Sequence, residues 1–342
     1  MRSARPASCA WPPCPPRLEW PRLKTVRAMA AGRRFRVDPS LVIVTVLLVA
    51  VLIAGFALSE RFGTLRNLMN VLEQAAALGF VSLGQSLVVL VGGIDLSVGA
   101  VVTASTVLMA AVVEMNPAWM VPMIPGVLAF GAFIGFINGF LVLRTGVHPL
   151  IVTLGTGSVL NGLVLLYTLQ PTGGVPYWFE EFAYGRIGPV PVAGLVMLVC
   201  FGFVWFFLKY TAMGRSFYAV GGGEESARLS GIDSNRVILI AYTACGFFVA
   251  LAGAYFVSRT GVGDPRVGEP FTLASITPVI VGGILLGGGK GNVLGALLGV
   301  FLISLINNLL NYMDVSTFIQ WIVQGLIILV AVSVYVNRER KL

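Results

Sequence analysis

Charged residues cut this chain into long apolar stretches. Ten stretches of at least 18 residues contain no Asp, Glu, Lys or Arg: 39–59, 74–94, 96–113, 115–143, 145–179, 187–208, 237–258, 270–289, 291–313 and 315–337. A helix rises 1.5 Å per residue, so about 20 apolar residues cross a hydrocarbon core of about 30 Å. The pattern predicts an all-α polytopic membrane protein with about ten transmembrane helices, or as few as eight if some stretches are re-entrant. Stretches 115–143 and 145–179 are long enough to hold loop as well. Two hydrophilic connections exceed a turn, 169–188 and 209–236. With ten spans they fall on opposite faces of the membrane.

Composition agrees with the pattern. Hydrophobic residues make up 57% of the chain and charged residues 11%. Eleven of the 38 charged residues lie in the first 38 positions, and the 27 left for the other 304 residues are too few to cover a water-soluble globule. A soluble enzyme is excluded. The net charge of +8 comes largely from the ends: nine of 23 Lys and Arg lie between Arg2 and Arg36, and Arg338, Arg340 and Lys341 close the chain. Basic flanks on an apolar body read as cytoplasmic tails rather than a nucleic-acid groove. With both termini cytoplasmic, the inner side holds eighteen basic residues, counting Arg144, Lys209, Arg215, Arg228, Arg236 and Lys290. The outer side holds five, Arg61, Arg66, Arg186, Arg259 and Arg266. The organisation expected is a disordered basic tail over 1–38, with the natural start at Met29, a transmembrane domain over 39–337 with a cytoplasmic loop at 209–236, and a short tail at 338–342. Cys9, Cys14, Cys200 and Cys245 share no metal-type spacing, and no metal or cofactor is expected in the chain.

Polar residues inside the apolar stretches mark the candidate path. Residues 90–100 pair Gly92 and Gly93 with Asp95, Ser97 and Gly99, so they read as helix, break, helix. A break at membrane depth is tolerated where its backbone is buried in protein or faces a wet cavity. At a cytoplasmic interface Asp95 would be only a cap. Ser304, Asn307, Asn308 and Asn311 recur at helical spacing, and Thr153, Thr156 and Asn161 form a looser set. Either set could bond neighbouring helices or wet a path for a hydroxyl-rich solute. Gly131, Gly135 and Gly139, and likewise Gly291, Gly295 and Gly299, repeat every four residues, a pattern that lets helices pack closely. His148 precedes Pro149 at an interface. Glu73, Asp95 and Glu114 are scattered, so no acid–base set is visible. Lys290 stands in a glycine-rich run that lacks the Ser or Thr of a phosphate loop, so ATP-driven work requires another subunit. In the inner loop, flexible Gly221-Gly222-Gly223 precede a short surface helix. Glu224 and Glu225 suit its start, Arg228 its later half and Gly231 its end, with Ala227 and Leu229 as a small apolar footing for a partner.

Four ordered motifs then carry a resemblance: GGIDLSVGA at 92–100, AVGGGEESARLSGI at 219–232, VGGILLGGGKG at 281–291 and VSTFIQWIVQGLIILVAV at 315–332. From about residue 40 onward the chain resembles ribose-type sugar permeases of ATP-binding-cassette importers, in the branched-chain amino-acid and ribose permease superfamily. The resemblance implies a non-catalytic transport subunit of a bacterial inner membrane. It also implies a cytoplasmic ATPase that uses ATP and Mg, an extracytoplasmic sugar-binding protein that delivers a monosaccharide such as ribose, xylose or galactose, and a second permease copy or paralogue. The family's coupling segment falls on Glu224 through Ile232, and its helix-break motif on Gly92, Gly93, Asp95, Ser97 and Gly99. Gly223 stands where relatives usually carry Asn, Ala274 where many carry an acid, and Pro278 is atypical. A branched-chain amino-acid or nucleoside permease is the alternative within this architecture. An ion-coupled carrier working alone is the alternative outside it.

Overall fold

The computed structural model describes residues 39–58 and 62–339. The expected tail over 1–38, a start at Met29, Cys9 and Cys14, Arg61 and the last three residues lie outside the described residues.

The helices, in order, are α1 (Pro39–Leu58), α2 (Leu65–Leu90), α3 (Val98–Met115), α4 (Met120–Thr145), α5 (Pro149–Tyr167), α6 (Glu181–Tyr184), α7 (Val192–Tyr210), α8 (Ala212–Gly222), α9 (Glu224–Leu229), α10 (Ser234–Thr260), α11 (Phe271–Ala274), α12 (Ile276–Val281), α13 (Val293–Tyr312) and α14 (Thr317–Glu339). A two-residue hairpin, β1 (Arg186–Ile187) with β2 (Val190–Pro191), joins α6 to α7. Side chains at the helix starts satisfy first-turn N–H groups that the helix itself cannot. Thr64 accepts from Asn67, Thr211 from Gly214, Asp233 from Arg236 and Asn292 from Leu294. Left-handed Gly146 and Gly261 end α4 and α10.

Helix α2 is the most buried of the long helices, and α10 lies against it together with α3 and α4. Helix α13 packs on α1, α2 and α12, and α7 on α2. The run Ala75-Ala76-Ala77 and Gly79, Gly84 in α2 has little side-chain bulk, so neighbours approach closely. A Cβ on Gly84 would come 2.8 Å from the Cys245 carbonyl of α10. Helix α1 is apolar on every side and mostly exposed, as suits a helix in lipid.

Among the described residues, eight helices are long and apolar enough to cross a membrane: α1 to α5, α7, α10 and α13. The backbone of α14 is helical for 23 residues, two residues beyond the expected boundary at 337. The expected span at 270–289 is corrected. Residues 271–281 form a short apolar stretch broken at Ser275, and the chain then turns at Gly282 and Gly283. Pro278 has no N–H to offer the Ala274 carbonyl, which interrupts the first helix. Gly283, at φ +89°, closes the second, with its N–H on Ile280 and that of Ile284 on Val279. Stretch 145–179 holds both helix and loop, as expected: α5 ends at Tyr167, and a non-helical connection follows.

The glycine sets divide. Gly131, Gly135 and Gly139 all face α10, where a Cβ would overlap the Gly246 carbonyl at Gly131, overlap the Tyr242 carbonyl at Gly135 and press on Leu239 at Gly139. Gly295 and Gly299 bring α13 onto the backbone of Gly282 and Pro278. Gly291 does not belong to that stripe. It precedes α13 at φ +129° in the turn, with Ile284 where a Cβ would go.

Candidate functional site

The break between α2 and α3 is held as a compact polar knot. Gly92 takes φ +85° after the last turn of α2, and the N–H groups of Gly92 and Gly93 bond back to Val89 and Val88 at 2.9 Å each. Asp95 is 2% exposed, buried within the protein. Its Oδ1 accepts the Ser97 N–H at 2.8 Å and the Ser97 hydroxyl at 2.6 Å. Asn138 of α4 reaches Asp95 Oδ2 at 3.4 Å and donates to Ser97 Oγ at 2.8 Å. Gln85, with its amide nitrogen turned toward the Asp95 carbonyl, donates to it at 3.1 Å and accepts the Asp95 N–H at 3.2 Å. From the other side Thr153 of α5 accepts the Leu96 N–H at 3.0 Å, and Gly157 packs on Ser97. The freed backbone of the break is thus paired to side chains of α2 and α5, the condition for irregular chain at this depth.

The connection 209–236 is almost wholly helical and abuts the start of this break. Helix α9 covers Glu224–Leu229 with an i,i+4 ion pair, Arg228 to Glu224, of 2.7 Å. Gly231, at φ +83°, ends it: its N–H bonds Arg228 and that of Ile232 bonds Ala227. Leu229 is 85% exposed. Ala227 is buried against the protein's own core, which corrects its assignment to a partner's footing: α9 lies on the body with one face turned in. Gly221 and Gly222 are not flexible spacers but the last residues of α8. A Cβ on Gly221 would strike the Leu90 carbonyl and Gly289, and one on Gly288 would come within 2.9 Å of Gly221 and 2.7 Å of Gly92. The Gly289 N–H bonds the Leu90 carbonyl at 2.9 Å. Three backbones therefore meet: the end of α8, the end of α2 and the glycine-rich turn after α12.

The polar stripe on α13 is occupied by contacts within the chain. Asn308 and Asn67 of α2 exchange amide bonds of 2.9 and 3.2 Å, Asn307 accepts from Gln324, and Asn311 from Gln320 at 2.7 Å. Ser304 is buried beside them. Their amides join α13 to α2 and α14, with Asn308 buried in the contact, Asn307 half-buried and Asn311 exposed. The α5 set divides. Thr153 is buried at the break, Thr156 bonds its own Val152 carbonyl in a groove against α4, and Asn161 is exposed, so the three share no face. His148 caps α5, accepting the Leu150 N–H at 3.3 Å.

Residues 67–332 match the family described as branched-chain amino acid transport system / permease component. The chain belongs to that permease family. It is 39% identical to the ribose import permease protein of Bacillus subtilis over 78% of this chain and 83% of that protein. With the ribose import permease protein of Haemophilus influenzae it shares 35% identity over 87% and 93%. With the galactose/methyl galactoside import permease protein of Escherichia coli the figures are 33%, 85% and 92%. No solved structure matches the chain.

Several residues that shape the permease's core escaped the sequence reading. Asn138 and Gln85 are polar positions inside apolar runs, a signal that was present but unspecific. Helix α8 could have been found from Thr211 and from the spacing of Gly214, Phe217 and Val220, all buried on one face. The connection 169–188 is pinned as well. Arg186 reaches Asn70 at 3.0 Å and Glu73 at 3.3 Å, the Ser258 hydroxyl donates to Phe179, and Tyr184 donates to Arg259. This fastens 177–186 to α2 and α10 and leaves Tyr177 and Ile187 exposed.

Proposed function

We propose that this permease forms the transmembrane path of a bacterial inner-membrane importer for a neutral monosaccharide, powered by a separate cytoplasmic ATPase with Mg-ATP and loaded by an extracytoplasmic binding protein. The observation that carries the reading is the three-way glycine joint. A partner that moves α9 moves α8, and α8 has no side chain at Gly221 to absorb the motion before it reaches Leu90 and the break at 91–97. Glu224, Glu225, Arg228, Leu229, Gly231 and Ile232 form the coupling surface, with α9 on the inner side and both termini cytoplasmic. The break residues Gly92, Gly93, Asp95 and Ser97, with Thr153, form the element that rocks between outward and inward access.

Asn161 and Ser158 support a path along α5. An exposed amide in the middle of an apolar helix needs a partner that lipid cannot supply, and a second permease copy or a paralogue across this face leaves room for solute between the two. A neutral solute is favoured over a zwitterion because the ion pairs among the described residues lie in connections or short helices or tie one to a long helix: Arg186–Glu73 joins the hairpin to α2, Arg228–Glu224 lies within α9 and Arg236–Asp233 at the start of α10. The described residues contain no cluster of His, Cys, Asp and Glu able to hold a metal, and the chain's role is transport without chemistry on the solute.

The experiment is uptake by the complete importer of labelled D-ribose, D-allose, D-fructose and D-galactose, each challenged with L-leucine. Concentrative uptake of one of these sugars, unaffected by leucine, is expected. Transport of leucine with none of the sugars would overturn the sugar reading. In the same assay Gly231→Val, which meets no neighbour but must adopt a left-handed backbone, is expected to leave ATP hydrolysis running while uptake is lost.

A further inference from the structure

The connection between α10 and α11 runs along α3 and carries charged residues with it. It starts beside Val107, near the middle of α3. Gly263 exchanges backbone hydrogen bonds with Thr172 at 2.8 and 2.9 Å, and a Cβ on it would come 2.7 Å from Val107 Cα. It ends in the first turn of α3, where Gly268 packs on Gly99 and its N–H donates to Thr103 Oγ1 at 3.0 Å. From Val107 to Gly99 this is a descent of about 12 Å at helical rise. Helix α5 fixes the depth independently: Gly157, near its midpoint, packs on Ser97, two residues before Gly99.

The next residue is Glu269. It is exposed, and no ion pair of its carboxylate occurs among the described residues. An ionised side chain at this depth faces a wet cavity or a polar partner rather than lipid. Helix α5 lies on the neighbouring face of α3: Ala104 and Val107 meet Val164, whereas Gly99 and Thr103 meet the descending segment. At 100° per residue the two faces are about a quarter turn apart, so Glu269 and the exposed Asn161 border the same side of α3.

We propose that the Glu269 carboxylate lines the translocation path at mid-membrane depth and holds the passing sugar by accepting hydrogens from two adjacent hydroxyls. This rests on the sugar-import reading and adds a specificity-determining residue to it. A carboxylate only accepts, and its two oxygens suit a pair of neighbouring O–H donors. An anionic solute is repelled by the same group.

Two measurements test it. In a chain with Cys9, Cys14 and Cys200 replaced by Ser, Glu269→Cys in membranes is treated with a charged, membrane-impermeant methanethiosulfonate, beside Phe133→Cys on the outer face of α4. Glu269→Cys is expected to react about tenfold faster or more, because the thiolate forms in water and not in hydrocarbon. Equal, slow reaction overturns the placement of Glu269 whatever the solute. In the complete importer, Glu269→Gln is expected to raise the KM for the carried sugar about tenfold or more, the usual loss of a charged hydrogen bond. Glu269→Asp should recover part of the affinity. An unchanged KM overturns the hydroxyl contact. A wild-type importer that carries none of the four sugars overturns the sugar-import reading and the hydroxyl contact together, while the labelling result still decides where Glu269 lies.

Discussion

Asp95 was legible as a candidate from its position after a glycine pair, but its surroundings were not, because Asn138, Gln85 and Thr153 come from helices far apart in the chain. Their convergence makes a buried knot. Asp95→Ala removes the acceptor of both Ser97 bonds and leaves buried donors unpaired, which costs about 1–3 kcal/mol. Asp95→Asn keeps one acceptor and is expected to cost less. Thermal unfolding of the purified protein in detergent checks the order of the two variants. The asparagine stripe on α13 teaches the reverse lesson. Helical spacing identified Asn307, Asn308 and Asn311 as one face, but spacing cannot say whether an amide meets solute or another helix. Here Asn67, Gln320 and Gln324 are their partners. Asn308→Leu is expected to lower stability by about 0.6–2 kcal/mol, the range for interhelical polar contacts in membranes, and to leave the KM for sugar unchanged. A changed KM with intact stability would return this stripe to the path.

Among the elements, the long apolar helices were legible because hydrocarbon imposes one rule on all of them. Helix α2 is an instructive partial miss: it begins at Leu65, ahead of the expected 74, because Arg66 and Glu73 lie within its first turns, where a charge-free window cannot reach. The stretch 270–289 misled for the opposite reason, since freedom from charge does not distinguish a full span from a short broken helix followed by a glycine turn. The joint at Gly221 was unreadable from sequence, as a close backbone approach leaves only a glycine, and three glycines in a row suggest a hinge. Its function can be separated from mere flexibility. Gly221→Ala would collide with the Leu90 carbonyl, whereas a methyl on Gly222 meets nothing within 4 Å. Gly221→Ala is expected to uncouple ATP hydrolysis from uptake, and Gly222→Ala to behave as wild type. Similar behaviour of the two variants would argue against the joint. On the α4–α10 face, Gly135→Val is expected to destabilise the fold by about 1–3 kcal/mol or more through overpacking, read as a lower yield of folded protein.

At the scale of the whole molecule, the composition already required a bilayer and the four ordered motifs already pointed to a permease. The family match over residues 67–332 bears out that resemblance. In the proposed function this chain is a conduit in which α8, ahead of the proposed coupling helix, abuts the end of α2, with the energy supplied by a separate ATPase. The direct measurement is accumulation of labelled D-ribose, D-allose, D-fructose or D-galactose in proteoliposomes containing the permease alone, under an imposed proton or sodium gradient, against the same vesicles with the ATPase, the binding protein and ATP. Uphill accumulation only in the complete system is the expected result. Uphill accumulation by the permease alone would contradict the account.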